Sequence, residues 1–158
     1  MTTVRKVNTL MTKRSGLFCG LSILSLLLLT GCAVPGGYDV NSLHLQPEAA
    51  LVYPSSTSVH TDDYNGSPGN YVSKGAVANT GKTATTTHTQ LEVLAYFSKT
   101  LAADGWTKTG EDDRITTPDG LPAQGIAWVK QSLHLSYVVN VWTVGEATQY
   151  FTQLSANE

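Results

Sequence analysis

Residues 133–143 read Leu-His-Leu-Ser-Tyr-Val-Val-Asn-Val-Trp-Thr. Leu133, Leu135, Tyr137, Val139 and Val141 recur at every second position, so a strand places all five on one face. His134, Ser136, Val138, Asn140 and Trp142 point the other way. A strand apolar on one side and mixed on the other suits an antiparallel sheet with one face on a core.

The segment that supplies the other half of that core lies upstream. Thr87-His88-Thr89-Gln90 and Thr89-Gln90-Leu91-Glu92 both match the capping-box pattern, a hydroxyl followed three residues later by an amide or carboxylate. Leu91, Leu94, Ala95, Ser98, Leu101 and Ala102 then recur at helical spacing. Asp104-Gly105-Trp106 stops the run. Gly105 suits the left-handed position after a helix, and Trp106 can fold back on Leu101. The pattern predicts an amphipathic helix over 89–104.

Shorter signals complete the inventory. Thr57 to Thr61 is β-branched and alternating and reads as a strand. Residues 62–69 (Asp-Asp-Tyr-Asn-Gly-Ser-Pro-Gly) read as a turn or loop. Residues 71–87 read as one bent strand or as a strand and a loop. Pro54 marks a strand start, an edge or a bend. Trp106–Thr109 is a short strand, 110–120 an acidic turn region, and 126–130 a strand joined to 133–143 by a turn at 130–132. Residues 147–154 alternate as an edge strand, with a short terminal helix as the alternative. The sum is α+β: a small antiparallel sheet with one amphipathic helix packed on one face. Val52-Tyr53-Pro54 and the helix end Leu101-Ala102-Ala103-Asp104-Gly105-Trp106 resemble a small domain found in many bacterial envelope proteins without known activity.

The first 31 residues are different material. Arg5, Lys6, Lys13 and Arg14 precede an apolar run at 17–29, the order of a cleaved export signal. The run falls short of the roughly 20 apolar residues of a transmembrane helix. It ends at Leu29-Thr30-Gly31-Cys32, which resembles the lipobox of bacterial lipoproteins. The resemblance implies that the Cys32 thiol receives a diacylglycerol and that signal peptidase II cuts before it. Acyl chains then hold the protein at the bilayer, at about 0.8 kcal/mol per buried methylene. Phe18 before Cys19 argues against Cys19 as the modified residue. The expected organisation is a signal peptide at 1–31, a flexible tether at 32–48 and one α+β domain at 49–158. Ala33 after the cysteine is compatible with the outer membrane of a two-membrane bacterium. In a single-membrane bacterium the anchor is the outer leaflet of the cell membrane.

Composition bounds the rest. The chain has 158 residues, 41% apolar and 14% charged, with 10 basic and 12 acidic side chains. That length suits one domain. Residues 32–158 keep only Lys74, Lys82, Lys99, Lys108, Arg114 and Lys130 against all 12 acids, a side-chain charge of −6. Such a balance excludes nucleic-acid binding through charge. Two cysteines exclude a disulfide framework and a four-cysteine zinc site.

No catalytic constellation stands out. Gly81-Lys82-Thr83 ends like a phosphate-binding loop, but position 76 is Ala where a Gly is needed. His44, His60, His88 and His134 have no ligand spacing, and no metal or cofactor is expected. The acids Glu111, Asp112, Asp113 and Asp119, and Asp62 with Asp63, lack calcium-loop spacing. His134 and Ser136 are the one local pair with a nucleophile and a base on the same side of a strand. Trp142 alternates away from the apolar face and, if exposed, anchors a partner or a glycan. The reading is a lipid-anchored envelope protein, not an enzyme, whose domain binds an envelope protein or glycan or is structural. The alternative is a small envelope hydrolase or ligand-binding protein using His134, Ser136 and the acidic loop.

Overall fold

The structure is a computed structural model and describes residues 37–69 and 74–157. They form two helices, α1 (Val40–His44) and α2 (Gln90–Ala103), and six strands. The strands are β1 (Thr57–Tyr64), β2 (Asn79–Thr86), β3 (Thr107–Thr116), β4 (Pro122–Lys130), β5 (Leu135–Val144) and β6 (Ala147–Ala156). All pair antiparallel in one sheet of order β1-β2-β6-β5-β4-β3. The fold is therefore mostly sheet, with one main helix.

α2 is built as its ends require. The Thr89 hydroxyl accepts from the Glu92 N–H, and the Glu92 carboxylate accepts from the Thr89 N–H at 2.9 Å. At the other end the Trp106 N–H reaches the Leu101 carbonyl at 3.0 Å, and Gly105 takes φ +81°. The buried stripe is Val93, Leu94, Phe97 and Leu101. It is rotated from the expected face: Leu91 is 76% exposed, and Ala95 and Ala102 face water. Phe97 decides the rotation, with ring centroids 5.6 Å from Tyr150 and 6.4 Å from Tyr137.

β5 and β6 are the axis of the sheet, with every second residue buried along β6 and along β5 as far as Val141. Tyr137, Val139, Val141, Tyr150 and Leu154 share the buried face, joined by Trp128 of β4 and Ala84 of β2. β6 is thus a central strand, where an edge strand was expected. Its alternation of threonine, aromatic and leucine is what a strand with two partners shows: β5 is its hairpin neighbour, but β2 is more than 60 positions away in sequence.

The two edges look different. β1 is exposed along its whole length, and β3 is exposed except at half-buried Ile115. The acidic stretch expected as a turn is in fact the body of β3, bulged after Lys108 and again after Asp112. Charges and bulges blunt a free edge against pairing with another chain. β1, equally exposed, keeps a β-branched alternation at Thr57–Thr61, whereas β3 carries Gly110 and a run of charges, so its sequence reads as a turn. The connection from β3 to β4 is confined to residues 117–121.

The tether is the largest correction. The segment 1–31 expected as a signal, and residues Leu29, Thr30, Gly31 and Cys32 expected as a lipobox, lie outside the described residues. Residues 38–48 are not a flexible linker. Asp39 caps α1 through Ser42, Leu43 is fully buried, and a 3-10 turn runs from Pro47 to Ala50. The Tyr38 hydroxyl donates to the Leu133 carbonyl at 3.0 Å. Glu48, 2% exposed, accepts from Trp106 Nε1 at 2.7 Å and from Lys130 Nζ at 3.0 Å. Farther on, the Tyr53 N–H donates to the Tyr150 hydroxyl, which itself bonds Ser56 Oγ at 2.7 Å. The folded unit therefore begins near Tyr38, and Pro54 sits in a turn.

Candidate functional site

The second face of the sheet has no such filling. It carries Ser136, Val138, Asn140 and Trp142 from β5, Gln149, Phe151 and Gln153 from β6, and Ala123, Gly125 and Ala127 from β4, by register. Those of β5 and β6 are all half-buried. This is the face opposite the core tyrosines, and it is hollowed.

The main hollow, about 410 Å³, lies toward the β5–β6 hairpin. Ile115, Pro118, Ala123, Trp142 and Phe151 wall it, and Asn140 lies at the sheet floor. None of its lining side chains is charged. A smaller hollow of about 230 Å³ adjoins it and shares Ile115 and Asn140. A broader depression of about 510 Å³ occupies the other end of the face, by Tyr64, Asn79, Ser136 and Ser155.

Two glycines shape the floor. A Cβ on Gly125 would lie 2.2 Å from Ile115 Cδ1 and 2.5 Å from Asn140 Oδ1. A Cβ on Gly81 would lie 2.8 Å from the Phe151 ring. The missing side chains let Ile115 lean in from the edge and let the Phe151 ring lie flat. Ile115 can do so because the bulge after Asp112 turns its side chain onto the face, opposite Ala123.

Asn140 is the polar centre. Its Oδ1 is buried, and among the described residues no donor reaches it. A buried amide oxygen without a partner costs about 1–3 kcal/mol. Native proteins keep few such groups, and Glu48 Oε2, Thr80 Oγ1 and the Tyr137 hydroxyl are the others among the described residues, all on the filled side. Trp142 is fixed by donation from its Nε1 to Gln149 Oε1 at 3.1 Å. An apolar wall around one unspent polar group is the chemistry of a binding site that takes an uncharged, partly apolar group and orients it by a hydrogen bond.

Trp142 is thus where the sequence placed it, on the face away from the core, but half-buried in a hollow instead of standing free. Phe151 and Asn140 join it. Asn140 carried a signal in sequence, since a carboxamide interrupts Val138-Val139-Asn140-Val141. Ile115 had none, because its strand read as a turn.

The groups of the alternative reading do not converge. His134 is not on the strand: it is exposed, with φ +51°, and closes a 3-10 turn at Gln131–Leu133 before β5 starts at Leu135. Ser136 Oγ bonds Ser155 Oγ at 2.8 Å across the sheet. The acids of β3 face solvent, with Glu111 paired to Lys108 and Asp112 near Arg114. Thr83 lines the main hollow, while Lys82 donates to Thr61 Oγ1 at 3.1 Å on the opposite face. His44 bonds Asp63 at 2.9 Å, and His60 and His88 sit by Asp62 and Glu92. Among the described residues no three His, Cys, Asp or Glu side chains are grouped as metal ligands. Nor is any described helix long and apolar enough to cross a membrane.

The second charged feature is Glu48. Burial pushes its carboxyl up, but donation from Trp106, the backbone and Lys130 outweighs that and holds it below the ordinary range. Lys130 also lies 5.6 Å over the Trp106 ring. All of Glu48's partners come from the ends of β3 and β4, so its role is to clamp the N-terminal segment. Burial likewise raises the Tyr150 and Tyr137 phenols, keeping both neutral. Compared with known proteins, the chain matches no family model, and no curated protein and no solved structure is similar to it.

Proposed function

We propose that this chain is a lipid-anchored lipoprotein of the bacterial envelope, tethered through Cys32, whose domain is a non-catalytic binding module. In this reading α2 packs on the filled face of the sheet and leaves the other face for a partner. The partner is an envelope protein or glycan that offers an uncharged, partly apolar group to the Asn140–Trp142–Phe151 hollow. The observation that carries the reading is the uncharged, largely apolar hollow of ligand size that Trp142, Phe151 and Asn140 line on the open face. The lipobox resemblance supplies the location, the cell or outer membrane facing away from the cytoplasm.

A photoreactive residue at position 151, in intact cells, tests the binding surface. The expected result is one reproducible adduct from position 151 and none from position 91 on the exposed side of α2. Equal labelling at both positions would sink the assignment of this face. Cys32→Ser separately tests the anchor. Loss of lipid labelling and release from the membrane fraction are expected, and labelling that survives would remove the anchor.

A further inference from the structure

The shortened tether sets how the domain stands on the bilayer. The inference rests on the proposed anchoring at Cys32. The first described residue is Gly37, and Tyr38 is already bonded to Leu133. Five residue steps separate Cys32 from Gly37, and fully extended they span at most about 18 Å.

Tyr38, α1 and Glu48 all sit at one end of the sheet. Tyr38 meets Leu133 just before β5, His44 meets Asp63 near the end of β1, and Glu48 meets Lys130 at the end of β4. Trp142 is seven residues farther along β5 than Leu135, about 24 Å by strand rise. A domain of this size is roughly 35 Å across. Turning its Trp142 end to the bilayer would lift Gly37 higher than the tether reaches.

The same end carries an exposed apolar side chain. Leu45 is 84% exposed, more than any other large apolar residue described. It is bracketed by His44 and Glu48, both pinned, so it projects from a fixed backbone. Tyr38 and Leu133, at the same end of the sheet, are half-buried. An exposed aliphatic side chain on a fixed backbone suits the boundary between headgroups and acyl chains.

We propose that the α1 end of the domain rests on lipid, with Leu45 in the bilayer interface, and that the main hollow at Trp142 faces away from the membrane. The occupant of the Leu45 surface is therefore the lipid surface itself.

The sequence makes the test simple. Cys19 and Cys32 are the two cysteines of the chain, and cleavage and acylation would remove both as free thiols. Leu45→Cys and Val144→Cys, both at exposed positions, are expressed as the full chain. Each protein is purified, labelled with an environment-sensitive fluorophore and reconstituted in vesicles containing brominated phosphatidylcholine. The position-45 label should lose more than half its emission, and the position-144 label should keep it. Protein that floats with the vesicles while both labels keep their emission, or while only position 144 is quenched, overturns the orientation and leaves the anchor intact. Wild-type protein that fails to float overturns the anchor and the orientation with it.

Discussion

The two faces of the sheet are made from the same strands yet solve opposite problems. Along β5 and β6, one face holds Tyr137, Val139, Val141, Tyr150 and Leu154, each at most 1% exposed. The other holds Val138, Asn140, Trp142 and Phe151, all half-buried. On the first face the Tyr150 hydroxyl has two partners and one Glu48 oxygen has two donors, while Thr80 Oγ1, the Tyr137 hydroxyl and the other Glu48 oxygen have none among the described residues. On the second, the Asn140 amide oxygen also has none. The difference lies in packing: one face is filled and holds the molecule together, and the other leaves apolar surface open in a hollow.

The largest expected effect is on the filled face. Phe97→Ala removes a fully buried ring lying between Tyr137 and Tyr150 and should cost about 4 kcal/mol. Urea unfolding followed by tryptophan fluorescence reads it. A loss under 1 kcal/mol would mean that the two faces are not so unequal.

Glu48→Ala comes next. It strands the half-buried Lys130 ammonium and the Trp106 N–H, at about 2–3 kcal/mol near neutral pH. The Glu48 carboxyl titrates below its ordinary range in the folded protein. Its contribution is therefore complete above the unfolded value, near 4.3, and is lost as pH falls through the lower folded value. The gap between wild type and Glu48→Ala should narrow steadily below about pH 4 in denaturation series. A gap independent of pH would show that the clamp acts by packing alone.

The half-open face should respond less, and in one case with the opposite sign. Trp142→Ala should cost about 1–2 kcal/mol, since the ring is only partly buried and lines an open hollow, while abolishing the adduct at position 151. Asn140→Leu removes the unpartnered amide and keeps the number and branching of its side-chain heavy atoms. It should leave stability unchanged or raise it by about 1 kcal/mol, again with loss of the adduct. A destabilised Asn140→Leu would assign the amide to the fold and not to a ligand.

The contrast also explains what could be read in advance. α2 was legible to within a residue because its determinants are local: a capping box at Thr89 and Glu92 and a glycine at 105. β5 was legible because its faces differ in burial, so its sequence alternates. β3 was not, since Gly110 and a run of charges stand where β1, equally exposed, keeps its alternation at Thr57–Thr61. The N-terminal segment was misjudged for another reason. Glu48 looks like a linker residue until Trp106 and Lys130, 58 and 82 positions away, are brought to it. The candidate site was half legible in the same way. Trp142 followed from alternation, whereas Ile115 depends on a bulge and Gly125 on a neighbour strand.

The place of β6 has a consequence for how the protein is made. The strand from residues 147–156 lies between β2 and β5 and, in the sheet of the described residues, is the strand that joins the β1–β2 pair to the β3–β4–β5 meander. Its Tyr150 is also what Tyr53 and Ser56 bond to, across 97 and 94 positions. Domains that close through such distant pairings fold late. Until residue 156 has left the ribosome β2 and β5 have no shared neighbour, so the six-stranded sheet cannot close. The last strand to be made is the keystone of the sheet, and nothing upstream of it can take its place between β2 and β5.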